Sequence, residues 1–138
     1  MKRSFTLIEL VVVIVILGIL ATLGLTQYGS ARERVLDKEA SANLRLIQAG
    51  QRIWNMEEGV GAGVFYNSGN MQPGAITNIN TNLRLVLPIT ANRSWDYITQ
   101  ANGCSQAMRN GGNNRIWSLT INDGITGGDG EPDTGACT

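Results

Sequence analysis

The sequence predicts an α+β fold, in which one long N-terminal helix packs against a small antiparallel β-sheet. Three observations predict it. An apolar run occupies the N-terminus, a helical repeat of apolar residues continues beyond that run, and short strand-like segments fill the C-terminal half. The chain has 138 residues, enough for one domain.

The apolar run covers residues 5–25 and contains a single acidic residue, Glu9. At the helical rise, a segment of this length spans the roughly 30 Å core of a bilayer. The basic pair Lys2 and Arg3 precedes it, which predicts a cytoplasmic N-terminus with the rest of the chain across the membrane. A carboxylate within such a run is costly and indicates function. The alternative is an ordinary signal anchor that tolerates Glu9 near the interface.

The helix is predicted to continue to about Glu57, because no proline interrupts residues 5–58 and Gly59 is a natural stop. Its distal half carries apolar residues that we expect to face the sheet. The segment 32–39 is too charged for lipid, and we interpret it as a solvated helix face, with salt bridges between copies as the alternative. Two adjacent apolar stripes are present, the first formed by Ala31, Val35, Ala42, Leu46, Ala49 and Ile53, and the second by Leu36, Ala40, Leu44, Ile47 and Trp54.

The C-terminal half contains the predicted sheet. Residues 59–82 form a Gly-, Asn- and Thr-rich connection with an apolar anchor at 64–66, and residues 76–87 contain a short helix or strand. Three strands are predicted, at Trp95–Thr99, Cys104–Met108 and Arg115–Ile121, with a turn at 110–114. In the third strand, Trp117, Leu119 and Ile121 share one face, and Ser118 and Thr120 the other. We expect Trp54, Trp95 and Trp117 in the core.

Charge and composition exclude some functions. The chain has 11 basic and 11 acidic residues and no histidine, so it shows no basic patch typical of nucleic-acid binding. No phosphate-binding glycine motif is present, and no activated nucleophile is evident. The sequence therefore does not predict an enzyme.

The N-terminal residues match a family pattern. Phe5-Thr6-Leu7-Ile8-Glu9-Leu10 after a short basic leader resembles the class III signal of type IV prepilins and type II secretion pseudopilins. The resemblance implies that a prepilin peptidase cleaves between Ser4 and Phe5 and N-methylates Phe5, and that Glu9 pairs with the terminal amine of a neighbouring copy during assembly. Two positions depart from the pattern: Ser4 stands where glycine is usual, and Thr26 where many relatives have proline.

The resemblance implies a pilin-like layout, with residues 1–4 as leader, 5–28 as the membrane and filament-core helix, 29–58 as its distal half and 59–138 as the head. The function it implies is a subunit of a type IV pilus (a fimbrium), held in the bacterial inner membrane and polymerised by an inner-membrane assembly machinery into an extracellular filament. The alternatives are a major pseudopilin of a periplasmic type II secretion pseudopilus and a membrane-anchored monomeric binding protein.

The only cysteines are Cys104 and Cys137, both predicted to lie outside the cytoplasm, where disulfides persist. A bond between them closes a loop of 34 residues and contributes about 4 kcal/mol in the chain-entropy model. Pilins of the family often hold the C-terminal region in place with a disulfide of this kind. A metal or redox pair is the alternative, although neither histidine nor CxxC spacing supports it.

An acidic, glycine-rich segment near the C-terminus gives the one candidate metal site. Four carboxylates fall within the 11 residues 123–133, and hard oxygen ligands suit Ca²⁺. The segment loosely resembles the calcium-binding loop of major type II pseudopilins, and Asp123, Asp129 and Asp133 are the candidate ligands. The alternative is a solvated acidic loop without metal, in which case the protein has no cofactor.

Overall fold

A computed structural model describes residues 6–59, 61, 63–69, 73–110, 115–121 and 125–127. These residues form two helices and four strands, which confirms the α+β class. The helices are α1 (Leu7–Glu58) and α2 (Pro73–Asn82), and the strands are β1 (Trp95–Thr99), β2 (Ser105–Arg109), β3 (Ile116–Leu119) and β4 (Ile125–Gly127). The chain divides into two compact units, residues 1–36 and 37–138, with the boundary inside α1.

Helix α1 extends over 52 residues, close to the predicted range. It ends at Glu58 and is followed by Gly59, whose φ of 61° is the left-handed conformation that commonly closes a helix. In the first unit, every large apolar side chain from Leu7 to Leu23 is at least 42% exposed. This part of α1 has a mean hydropathy of 2.8 over 18 residues, and in the described residues it is the one helix long and apolar enough to cross a membrane.

In the second unit, α1 buries one stripe of side chains. Ala40, Leu44 and Ile47 are fully buried, as the second predicted stripe required, and Gln51 joins them with no exposed surface. The first predicted stripe does not pack in the core: Leu46 is 44% exposed and Ile53 52%. A single-layered sheet covers only one side of a helix, and residues two positions away lie about 200° around it.

The four strands form an antiparallel sheet in the order β1-β2-β3-β4. Strand β1 has the predicted bounds. Strand β2 begins one residue later than predicted because Cys104 belongs to a tight turn, in which Gly103 has a φ of 81° and the Gln100 amide donates to the Cys104 carbonyl at 2.8 Å. Tyr97, Ala107 and Trp117 lie in register across three strands.

The predicted alternation of β3 is only partly correct. Leu119 and Ile121 are buried and Trp117 is half-buried, but Ser118, predicted on the outer face, has no exposed surface either. A short side chain on an interior strand, with Gln106 of β2 opposite it in register, is easily covered. Of the tryptophans, Trp95 is 1% exposed and lies in the core as predicted. Trp54 is half-buried and packs edge-on against Tyr66 with ring centroids 5.9 Å apart.

The ambiguous segment before β1 contains a helix, α2, which begins earlier than predicted, at Pro73, a favourable first helical residue. Its Ile76 and Ile79 are buried. The chain then extends to Leu87, whose amide and carbonyl both bond the Asn80 side chain, at 2.8 and 3.0 Å. The side-chain amide of Asn80 therefore makes the two hydrogen bonds to Leu87 that a neighbouring strand would otherwise make.

Polar side chains of α1 hold the connection that the sequence placed at 64–66. The Gln51 amide donates to the Tyr66 carbonyl and accepts from the Tyr66 amide, both at 2.8 Å. Asn55 donates to the Val64 carbonyl at 2.6 Å. Val64 itself is 45% exposed, so this segment is anchored by backbone hydrogen bonds more than by its apolar side chains.

Candidate functional site

The candidate site is the start of α1, where Thr6 and Glu9 form a hydrogen-bonded helix cap. The Thr6 amide and hydroxyl both donate to Glu9 Oε2, each at 2.9 Å. The Glu9 amide faces the Thr6 hydroxyl oxygen at 3.4 Å. Threonine followed three residues later by glutamate is a capping box, which satisfies amides that a helix start leaves without partners.

This geometry gives the two carboxylate oxygens of Glu9 different surroundings. Oxygen Oε2 closes its own helix, where the positive end of the helix dipole favours an anion. Within residues 6–59, no hydrogen bond to Oε1 is present. The predicted partner, the amine of Phe5, and the cleavage position at Ser4 both lie outside the described residues. The predicted roles of these three residues therefore stay predictions.

Thr6 is a residue that the sequence reasoning missed. The signal was present, since the spacing Thr-x-x-Glu before an apolar run marks a helix N-terminus. Thr6 restricts the direction of the Glu9 carboxylate by bonding it through two donors. The arrangement can hold a carboxylate in a defined direction at the start of the apolar segment of α1.

The charged segment 32–39 is not uniformly solvated. Arg32, Arg34 and Lys38 are exposed, as predicted, but Asp37 is turned toward the sheet. It forms an ion pair with Arg115, which precedes β3 and is 5% exposed. The indole nitrogen of Trp117 donates to Asp37 at 3.4 Å. The interpretation of a wholly solvated face is therefore wrong at this residue, because Arg115, the residue before β3, places a buried cation opposite it.

The cysteine and calcium predictions involve residues that are mostly outside the described ranges. Cys104 is 1% exposed, and no cysteine in the described ranges is free. Cys137 is not described, so its pairing with Cys104 stays a prediction. Asp123, Asp129 and Asp133 are likewise not described, and calcium binding stays a prediction. Among the residues that are described, no three acidic, cysteine or histidine side chains form a cluster that could hold a metal.

A shallow groove lies between α1 and the chain that follows α2. Its walls are mainly apolar, with Leu46, Ile53 and Leu85 among them. Its charged residues, Glu57 and Arg84, form an exposed ion pair at 3.1 Å. The groove therefore brings together apolar surface and an already neutralised pair of charges.

Comparison with known proteins identifies the N-terminal segment. Residues 1–25 match the family model of the prokaryotic N-terminal methylation motif. The chain thus carries a class III prepilin signal, as found in type IV pilins and pseudopilins. The match ends at residue 25 of 138. No curated protein and no solved structure matches the chain.

Proposed function

We propose that this protein is a structural subunit of a type IV pilus. In this proposal a prepilin peptidase cleaves between Ser4 and Phe5 and methylates the new amino terminus. The mature chain waits in the inner membrane, and an assembly machinery then moves it into a helical filament of identical copies. The observation that carries the proposal is the methylation motif at residues 1–25, which includes the exposed apolar side chains at the start of α1.

The exposed apolar helix supports polymerisation physically. Its side chains need an apolar environment, which lipid supplies for the monomer and neighbouring helices supply in a bundle. Transfer from one environment to the other therefore loses little apolar burial. What must change is the partner of Glu9, since a carboxylate surrounded by apolar helices needs a cation close by.

The assembly step that we assign to Glu9 follows from its two oxygens. Oxygen Oε2 stays hydrogen-bonded to Thr6. Oxygen Oε1 accepts a hydrogen bond from the methylated amino terminus of Phe5 in a neighbouring copy. Such a pair contributes direction and register more than net stability, as buried polar pairs do in coiled coils. If a neighbouring copy were displaced along the filament by one helical step, its Phe5 amine would no longer meet the Glu9 carboxylate.

The first test is the Glu9→Ala variant, expressed alongside the wild type and a Glu58→Ala control, which removes an exposed acid at the other end of α1. We expect Glu9→Ala to accumulate in membranes with a processed N-terminus and to yield no normal filaments in sheared extracellular material. Glu58→Ala should behave as the wild type. Abundant normal filaments from Glu9→Ala would refute the role that we assign to Glu9.

The processing step is tested by intact mass and N-terminal sequencing of the same fractions. A chain that begins at N-methylated Phe5 in sheared material is the expected result. A chain that begins at Met1 and is confined to membranes would instead indicate an anchored monomer, with Ser4 preventing cleavage.

A second candidate function is a major pseudopilin of a type II secretion system. The acidic, glycine-rich segment 123–133 favours it, because it loosely resembles the calcium-binding loop of that class. Processed protein that stays in the cell envelope would favour this alternative. Calcium titration of the purified chain, with Asp129→Asn as the control variant, tests the proposed ligands Asp123, Asp129 and Asp133 by a shift in melting temperature.

We also propose that Cys104 and Cys137 form a disulfide. Cys104 is 1% exposed and is not a free cysteine, which supports this pairing, and the bond would attach the C-terminus to the sheet beside β2. Mass spectrometry after alkylation without reductant should find neither thiol modified. Alkylation of Cys137 in the folded, unreduced protein would exclude the bond.

A further inference from the structure

One exposed apolar side chain stands beside the groove between α1 and the chain that follows α2. Val86 is 92% exposed, the highest value among the large apolar side chains that the structure describes. Its neighbour Leu85 lines the groove, and its other neighbour Leu87 is buried. This alternation places Val86 on the side of the segment opposite to Leu85, so it projects away from the groove. We call Val86 the knob.

The groove contains a notch on α1 that suits an apolar side chain. Leu46 and Ile53 are exposed and stand seven residues apart, about 10 Å along the helix axis. The small residues Ala49 and Gly50 lie between them and also line the groove. These four positions have the spacing i, i+3, i+4 and i+7, which forms the hole in knobs-into-holes packing. Leu85 lines the same groove, and we call the four positions on α1 the notch.

The polarity of the groove matches that of the knob. The charged residues that line the groove, Glu57 and Arg84, pair with each other at 3.1 Å. Residues 85–92, which include the knob, contain no charged residue. An apolar side chain that enters the notch therefore leaves no charge without its partner, which is the usual cost of burying a polar surface.

The backbone on both sides of the knob is held in place. Arg84 is the one non-glycine residue with a positive φ, 54°, in the part of the chain that the structure describes. This left-handed conformation ends α2 and turns the chain toward Leu85. The Asn80 side chain bonds both the amide and the carbonyl of Leu87. Because the knob lies between two fixed points, it loses little conformational freedom when it binds.

We propose that Val86 of one copy inserts into the notch of a second copy of this chain. The partner is a second copy because every copy carries both halves of the contact, and the knob of one copy points away from its own groove. A contact between two different surfaces of identical chains continues as a helical filament when it does not close into a ring. The inference rests on the proposed function, and it names one surface through which residues 37–138 of neighbouring copies meet.

The contact is apolar, which determines how it behaves. Insertion of Val86 removes apolar surface from water on both copies, and this stabilises their association. Salt screens charges and leaves apolar contacts intact, so raised ionic strength should not separate the copies at this point. Since Val86 is exposed within a single copy, its replacement should weaken assembly without affecting folding.

Disulfide cross-linking tests the pairing directly. A full-length variant with both Val86→Cys and Ile53→Cys is produced in cells, and sheared filaments are oxidised beside the wild type, or membranes where no filaments form. We expect a ladder of dimers, trimers and longer products on non-reducing gels, because each copy offers one new thiol to each of two neighbours. Each single variant should give no ladder. Absence of a ladder from the double variant, or abundant dimers from Val86→Cys alone, would overturn the proposal.

A charge at the knob provides the second measurement. Val86→Asp should lower the yield of sheared filaments about tenfold, because an apolar contact is replaced by a buried acid. Its melting temperature in non-ionic detergent should equal that of the wild type. Val64→Asp is the matched control, since it places the same charge at another exposed valine, which does not line the groove. A wild-type yield of filaments from Val86→Asp would overturn the proposal.

The two proposals fail separately. A ladder from the membranes of cells that form no filaments would refute the pilus and leave the contact in place. Filaments that form normally, but whose subunits give no ladder, would refute the contact and leave the pilus in place.

Discussion

Asp37 of α1 and Arg115, next to β3, form a buried ion pair between positions 78 residues apart in the sequence. Their side chains are 17% and 5% exposed. The indole nitrogen of Trp117 donates to the same carboxylate. This pair fixes the helix against the sheet at one defined point, because a slide of one helical turn would leave the guanidinium without its acid.

We predict that Asp37→Ala lowers the free energy of unfolding by about 3 kcal/mol, because it leaves Arg115 buried without its carboxylate. Chemical denaturation of the full-length protein in non-ionic detergent, followed by tryptophan fluorescence, measures the change. Glu57→Ala breaks the exposed pair with Arg84 and should cost less than about 1 kcal/mol. An equal loss of unfolding free energy in the two variants would contradict a larger contribution from the buried pair of Asp37 and Arg115.

The sequence predicted those parts of the fold that local pattern controls. Strand β1 was placed correctly because four of the five residues of Trp95-Asp96-Tyr97-Ile98-Thr99 are aromatic or β-branched, the types that favour strands. The end of α1 was predicted because Gly59 supplies the conformation that closes a helix. At the candidate site, Glu9 was found because an acid in an apolar run is conspicuous.

Tertiary structure decided the rest. The two apolar stripes of α1 are similar in composition, and only the position of the sheet determines that Leu44 is buried while Leu46 is exposed. Gln51 was missed because hydropathy places an amide outside the core, although a backbone segment without strand partners needs one there. The partner of Asp37 could not be predicted, since its distance along the chain leaves no local pattern.

The buried amide of Gln51 leads to a second prediction. Gln51→Leu keeps the size of the side chain but leaves the Tyr66 amide and carbonyl without their partner. We expect a loss of about 3 kcal/mol and faster hydrogen exchange at the Tyr66 amide. Asn55→Ala removes an exposed contact to the Val64 carbonyl and should cost about 1 kcal/mol or less. Unchanged exchange at Tyr66 in Gln51→Leu would contradict the role of this amide.

Gly103 gives a third prediction, in the turn before β2. Its φ is 81°, and a β-carbon there would lie 2.8 Å from Cδ2 of Phe65. Gly103→Ala should therefore lose about 2–4 kcal/mol, from backbone strain and from the clash together. Gly74→Ala, in the first turn of α2, meets no atom within 4 Å and should be neutral or slightly stabilising. The melting temperatures of both variants, measured by thermal unfolding, test this prediction. A Gly103→Ala variant as stable as the wild type would contradict it.

Tyr97 predicts how stability depends on alkaline pH. Burial raises the pKa of its phenol well above the ordinary value of 10.0, although the hydrogen bond from Asn43 opposes this by lowering the pKa. The folded state therefore keeps the proton, while the unfolded state releases it as the pH passes about 10. The contribution of the Tyr97 proton to the free energy of unfolding is therefore complete below that pH. It is lost as the pH rises further, by about 2 kcal/mol between pH 10 and pH 12.

The variant Tyr97→Phe isolates this effect. At pH 7 it should be about 1 kcal/mol less stable than the wild type, because it loses the 2.8 Å hydrogen bond from Asn43. Between pH 10 and pH 12 its stability should fall less steeply, since no proton can leave at this position. Tyr66→Phe is the control. Burial also raises the pKa of Tyr66, but that side chain is half-buried, so the slope should change less. Parallel alkaline slopes for Tyr97→Phe and the wild type would show that the Tyr97 phenol does not control this loss.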